Sequence, residues 1–226
     1  GHLVDNEGHM HRLRRSLDEL RIGWPLPPEQ IIEVQKTLIE KNGLVEGTVY
    51  LQITRGAADR DFAFPDGTPS TLVMFTQDRA LIEHPAAKAG IKVISVPDLR
   101  WKRRDIKSVG LLGPVLAKQA AVDAGVQDAW MIEDGYVTEG TSNNAYIVTQ
   151  GGSLVTRQLS NEILHGITRA AVLALCEQDS IALEERRFTL EEAYAASEAM
   201  ITSASTFVHP VVEIDGRTIG SGEPGP

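Results

Sequence analysis

The sequence predicts a two-part protein of mixed helix and strand, α/β (α+β), and three observations carry that prediction. Through residue 80, apolar residues recur first at helical spacing and then as two strand-like runs, so helices precede strands. From residue 88 onward, strand-like runs joined by Asp-Gly and Gly-Gly turns alternate with helical stripes. With 226 residues, 42% of them hydrophobic and 23% charged, the chain can bury a sizeable core. These signals divide it into a small domain at 1–80, a linker at 81–87 and a larger domain at 88–226.

The opening, GHLVDNEG, reads as the interior of a hairpin. HMHRLRRSLDELRI then places Leu13, Leu17 and Leu20 on one helical face. PLPPEQIIEVQKTLIEKNG starts on prolines, carries Ile31, Val34, Leu38 and Ile39, and ends at Gly43, as a helix should. GTVYLQITRG and STLVMFTQ are strands. DRALIEHPAAKAG links to IKVISVPD, a buried strand. In RRDIKSVGLLGPVLAKQAA, Pro114 suits a first helical turn, and Leu112, Val115, Leu116 and Ala120 make an apolar stripe. AWMIEDGYVTEGTSNNAYIVTQGGSLVT reads as three strands, with Trp130, Met131 and Ile132 in the core. GITRAAVLALCEQ is a helix, and Thr189 with Glu192 has the spacing of a capping box. AMITSASTFVHPVVEIDG reads as strand, small-residue turn and strand.

The net charge of -9, from 31 acidic and 22 basic residues, argues against nucleic acid as a partner. One cysteine, Cys176, forms no internal disulfide and fits a reducing, cytoplasmic setting. Apolar runs such as AAVLALC are too short to cross a bilayer, so no membrane partner is expected. The histidines of HMH lack the companions a metal site needs, and none is expected.

Four features carry chemistry. Lys107 follows an extended stretch and precedes a helix. Glu139, in VTEGTSNN, follows a strand and precedes Gly140, Thr141, Ser142, Asn143 and Asn144. Gly166, Ile167 and Thr168 open a helix, where backbone amides and the dipole favour an anion. Thr202 to Ser205 form a second hydroxyl-rich turn able to grip phosphate through its backbone. Each has an ordinary use alone: a solvated lysine, a turn glutamate, a helix start. Together they match what pyridoxal phosphate requires, namely a lysine amine, a carboxylate at the ring nitrogen and a phosphate nest.

The segments RWKRRDIKSVGLL, AKQAA, DGYVTEGTSNNAYIV, LHGITR and HPVVEIDGRTIGSGEPGP, in that order, resemble the fold-type IV (class IV) pyridoxal-phosphate aminotransferases, most closely the D-amino-acid transaminase branch. The DIKS and VTEGTSNN pair is the most diagnostic. The resemblance implies a cofactor cleft between the two domains and a homodimer, with pyridoxal 5'-phosphate as cofactor. It assigns the Schiff-base lysine to Lys107, the pyridine-nitrogen carboxylate to Glu139 and the phosphate arginine to Arg12. Ile167 and Thr168 become the helix-start phosphate contacts beside Gly166, and Leu164 packs on the ring. Ser203, Ala204 and Ser205 form the second phosphate turn, and Ser142 and Asn143 complete the cofactor set. Many members have threonine at the position of Ala204, so the contact here falls to backbone amide or Ser205. In the substrate loop the branch commonly carries an Arg-x-His pair to hold the substrate carboxylate. This chain has Arg60, Asp61 and Phe62, leaving Arg60 as the clamp, with Phe62 beside it. The family also carries a substrate-facing tyrosine ahead of the first segment read here.

The implied reaction joins amino-acid and 2-oxo-acid substrates: transamination of a D-amino acid such as D-alanine with 2-oxoglutarate, giving a 2-oxo acid and D-glutamate. The alternatives are a branched-chain L-amino-acid or (R)-amine transaminase, an aminodeoxychorismate lyase on the same scaffold, or a silent binding protein. The last would have no need of Lys107 and Glu139.

Overall fold

In the computed structural model, which describes residues 2–225, the chain separates into two units, Gly1–Leu81 and Ile82–Pro226. In the first, α1 (Asn6–Leu20) and α2 (Pro28–Lys41) precede an antiparallel pair, β1 (Gly47–Thr54) and β2 (Thr71–Asp78). α1 buries Ser16 and Leu17, and α2 buries Ile31 and Gln35. The Gln35 amide reaches Met10 Sδ at 3.7 Å and ties the two helices together. Among the described residues, the expected hairpin interior at the start is absent. Residues 4 and 5 form a turn, with Asp5 left-handed at φ 50°, because Asp and Asn tolerate that conformation where a strand would not.

The second unit runs α3 (Pro85–Ala89), β3 (Ile91–Pro97), α4 (Leu112–Asp123), β4 (Asp128–Glu133), β5 (Tyr136–Gly140), β6 (Asn144–Val148) and β7 (Leu154–Thr156). It continues through α5 (Ile167–Gln178), β8 (Leu183–Glu185), α6 (Leu190–Tyr194), β9 (Glu198–Ser203), β10 (Phe207–Ile214) and β11 (Arg217–Thr218). One sheet holds these strands in the order β5-β4-β3-β10-β9-β6-β7-β8, with β11 on β10. The sheet curls. Tyr136 on β5 bridges to Thr189, just past β8, and the Val137 amide donates to the Phe188 carbonyl at 3.0 Å. Curling brings Val93, Trp130, Val137, Ile147, Val155, Phe188 and Ile201 into one core, where Trp130 meets Phe188 edge-to-face at 6.1 Å. Alternate residues face outward, so Tyr146 and Leu154 pack with Cys176 of α5. The capping box forms as read: Thr189 Oγ1 accepts from the Glu192 amide at 3.1 Å, and Glu192 Oε2 accepts from the Thr189 amide at 2.8 Å.

Three further readings change. The connecting segment DRALIEHPAAKAG contains a helix, α3, which His84 caps by accepting from the Ala86 amide. The stretch read as three strands holds four, β4 to β7, because Thr141 to Asn143 leave the ladder between β5 and β6. The α4 stripe faces outward: Leu112, Val115 and Leu116 are 74%, 55% and 53% exposed, and Ala120 is half-buried. α4 instead packs through Ala117 and Ala121 on Ala129 and Met131, since small side chains let the helix lie close on the sheet.

Candidate active site

Glu139 owes its place to a tight turn and an irregular ladder. Asp134 and Gly135 both adopt positive φ, 52° and 81°, the geometry that Asp-Gly favours between antiparallel strands. Along the hairpin they close, Ile132 pairs with Val137 but Trp130 with Gly140, so β5 carries one extra residue in the stretch holding Glu139. Such a bulge re-aims a side chain. The Glu139 carboxylate is almost wholly buried. The Leu164 amide donates to both its oxygens at 3.1 Å, Asn144 Nδ2 donates to Oε2 at 2.9 Å, and Arg100 Nη1 donates to Oε1.

Arg100 is held in turn. Its Nε donates to Asp98 Oδ1 at 2.9 Å and its Nη2 to Asp98 Oδ2 at 2.6 Å. Thr138 Oγ1 lies 2.6 Å from the same Oδ2. Ion pairs continue from Asp98 to Arg104 at 3.4 Å, from Arg104 to Glu133 at 2.7 Å, and from Glu133 to Lys102 at the surface. Alternating charges thus connect a buried carboxylate to solvent. Burial pushes the Glu139 carboxyl above its ordinary value, while the charge and hydrogen bond of Arg100 and the Leu164 amide pull it down. Burial also raises Asp98, but hydrogen bonds and charge from Arg100, with Thr138, outweigh it and bring the carboxyl down to about 2.

That depression fixes a pH dependence. A folded value below the ordinary 3.8 stabilises the fold fully above it and loses that contribution as pH falls through about 2. At 1.36 kcal/mol per pH unit the gap corresponds to about 2 kcal/mol. Unfolding free energies measured in urea should fall between about pH 4 and pH 2, and Asp98→Asn should remove that part of the slope.

Asn144 ties the carboxylate to the helix start. Its Nδ2 also donates to the Leu164 carbonyl at 3.0 Å. At Gly166 an added Cβ would stand 2.0 Å from Asn144 Oδ1, so glycine is required for this approach. Gly166 caps α5 without a side chain, leaving the first-turn amides of Ile167 and Thr168 to face an anion. Glu139, Leu164, Gly166, Ile167 and Thr168 are therefore assembled at one place. Asn143 turns elsewhere: its amide and the Thr141 hydroxyl both bond to buried Asp128, while Ser142 is exposed.

Lys107 stands exposed in the connection between β3 and α4. That connection is anchored just before it, where Asp105 and Ile106 are buried and the Arg104 amide donates to the Asn161 carbonyl at 2.9 Å. The second turn, after β9, is organised by Ser203. Its Oγ lies 2.8 Å from Thr206 Oγ1 and 3.3 Å from Ser205 Oγ, and accepts from the Ser205 and Thr206 amides at 3.3 and 3.2 Å. Ala204 and Ser205 are exposed at its tip, and Phe207 leaves it with a left-handed φ of 52°.

In the first unit, burial and then the charge of Arg15 draw the Arg12 guanidinium down to about 10, a setting that an anion would relieve. The Arg60 guanidinium lies 5.6 Å from the Phe62 ring centroid in an exposed loop. Asp61 builds that loop, with Oδ1 accepting from the Phe62 and Ala63 amides at 2.6 and 3.3 Å.

The family model described as Amino-transferase class IV matches residues 1–214. The chain belongs to the class IV aminotransferases. D-alanine aminotransferase of Bacillus licheniformis is 39% identical over 228 residues, which span all of this chain and 79% of that protein. The enzyme of that name from Staphylococcus epidermidis is 37% identical over the same shares. Among solved structures, a T.th. branched-chain aminotransferase with pyridoxamine 5'-phosphate is 26% identical, with a TM-score of 0.88 over 97% of this chain and 74% of that one. A 4-amino-4-deoxychorismate lyase, so named with the qualifier "Putative", from Legionella pneumophila has 25% identity and a TM-score of 0.85 over 94% and 78%.

As a class IV aminotransferase the chain uses pyridoxal 5'-phosphate, and its residues fit that group. A buried, multiply donated carboxylate suits a ring nitrogen that must stay protonated. An uncapped helix start, brought against it by Gly166 and Asn144, suits a phosphate. Sequence reading missed Arg100, Asp98 and Asn144. The one available signal was Glu139 itself, since a carboxylate in an apolar strand requires a cation.

Proposed function

We propose that this aminotransferase converts D-amino acids such as D-alanine, with 2-oxoglutarate as acceptor, to the 2-oxo acid and D-glutamate. The observation that carries the reading is the match, over the whole chain at 36–39% identity, to proteins named D-alanine aminotransferase. When bound, pyridoxal phosphate supplies an aldehyde for amines and a cationic ring that accepts electrons. With the cofactor bound, Lys107 Nζ would hold it and, once freed by the substrate amine, would carry the Cα proton as general base and acid. Glu139 holds the proton at the ring nitrogen. The amides and hydroxyls of Ile167, Thr168, Ser203 and Ser205, with the Ala204 backbone, bind phosphate, as does Arg12. Leu164 packs on the ring, with Ser142 and Asn143 shaping the loop beside it. Arg60 binds the substrate carboxylate.

Phe62 in place of the branch's histidine makes a branched-chain substrate the comparison arm. Adding D-alanine should bleach the yellow holoenzyme, and 2-oxoglutarate should restore it. Bleaching by L-leucine or (R)-phenylethylamine but not by D-alanine would overturn the substrate assignment, as would pyruvate release from aminodeoxychorismate without an acceptor.

We further propose a cytoplasmic homodimer. The lone Cys176 fits that reducing compartment, and support for the dimer is the exposed row of Val109, Leu111, Leu112, Val115 and Leu116, which begins beside Lys107 and continues along α4. A second copy seated there would cover this row and close the approach to the lysine. Leu112→Glu with Leu116→Glu should shift the mass measured by light scattering from dimer to monomer. An unchanged dimer would show that this face is not the contact.

A further inference from the structure

The strongest unexplained feature is the guanidinium that meets Glu139 edge-on. Arg100 has three donor groups engaged in fixed directions. Nε and Nη2 grip both oxygens of Asp98, at 2.9 and 2.6 Å, which leaves Nη1 for Glu139 Oε1. The side chains are dry: 10% exposed for Arg100, none for Asp98 and 4% for Glu139. A surface ion pair contributes little, but one removed from water is screened much less. Arg104 Nη1 lies 3.4 Å from Asp98 Oδ2, the oxygen that Arg100 Nη2 also holds, so a second cation helps keep that carboxylate charged in place.

The geometry points to Arg100 as a positioning residue for the reaction: by pairing with Glu139 it keeps the carboxylate anionic, so the shared proton rests on the cofactor's ring nitrogen and not on Glu139. Asp98 aims the fork and offsets its charge, so that Glu139 keeps enough negative character to hold a cation. The inference rests on the reading of Glu139 as the ring-nitrogen partner. Its logic is a proton competition. In a dry site, a neutral carboxylic acid beside a neutral pyridine is favoured over carboxylate beside pyridinium, unless a further cation stabilises the carboxylate. Arg100 supplies that cation, and the Asn144 and Leu164 donors add hydrogen bonds that also prefer the anion. Substrate turnover needs the ring in its cationic form, so Arg100 acts on the chemistry through Glu139.

The test uses holoenzyme carrying cofactor labelled with 15N in its ring, with the nitrogen resonance followed across neutral pH. The unmutated protein should give the protonated shift, and Glu139→Gln should lose it. If Glu139→Gln leaves the resonance unchanged, the reading of Glu139 itself fails. If it responds and Arg100→Gln does not, the assignment to Glu139 stands and the role given to Arg100 is overturned. Arg100→Gln is expected to move the resonance to the unprotonated position, and Arg100→Lys, which restores a charge without the fork, to recover it. A structural arginine would give no such rescue, so failure of Lys where Gln shifts the resonance also counts against the proposal. Should Arg100→Gln not fold, infrared difference spectra of unmutated holoenzyme against Glu139→Gln decide. An ionised Glu139 at neutral pH supports the proposal, and a protonated one overturns it.

Discussion

Lys107→Ala will abolish measurable transamination, with a loss of about a thousandfold or more, while the melting temperature changes little. The size of the loss follows from two roles converging on one amine. A positioned acid–base contributes roughly 10²–10⁴-fold, and losing the covalent attachment point removes a further advantage. The small thermal effect follows from burial: Lys107 is exposed, and the loop is anchored by its buried neighbours Asp105 and Ile106. Lys107→Arg should be equally inactive, because a guanidinium does not release its proton at working pH and cannot act as the base. Steady-state rates and thermal melts of the two variants check this. An active Lys107→Arg enzyme would place the base elsewhere.

Glu139→Gln should lower the turnover number by about a hundredfold or more, within the range for deleting a preorganised charge at a reacting centre. Its stability effect differs from that of Lys107 because Glu139 is buried and accepts from Arg100, Asn144 and Leu164. Glutamine keeps the shape and loses the charge, so about 1–3 kcal/mol of stability should go with it. Glu139→Ala should lose about 3–5 kcal/mol, because it also strands one face of the Arg100 cation. Urea melts of both variants beside their rates would check the order. Equal stability with normal turnover would show that the carboxylate serves neither fold nor reaction.

Local chemistry made much of the fold legible. The Asp134-Gly135 turn, Pro28 at the start of α2 and the Thr189–Glu192 capping box each use residues within a few positions of one another. Errors arose where distant residues decide. The break between β5 and β6 is fixed by Asp128, which takes hydrogen bonds from Thr141 and Asn143 thirteen and fifteen positions away. On α4, periodicity identified an apolar row but not which row meets the sheet, and small alanines made the closer fit. The site divides the same way. Glu139, Leu164 and the α5 start stood out through their segments, whereas Asn143 and Asn144 are adjacent and of one type. Leaving the ladder sends the first to Asp128 and the second to Glu139. The link from Arg100 to Glu139 gave no local signal, since the two lie 39 residues apart along the chain.

Borohydride reduction of the holoenzyme, followed by peptide mapping, bears on the central claim most directly. A single pyridoxyl group on the side chain at position 107 is the predicted outcome. A label on any other lysine, or none in protein shown to carry the cofactor, would contradict the whole account of how this chain handles amines.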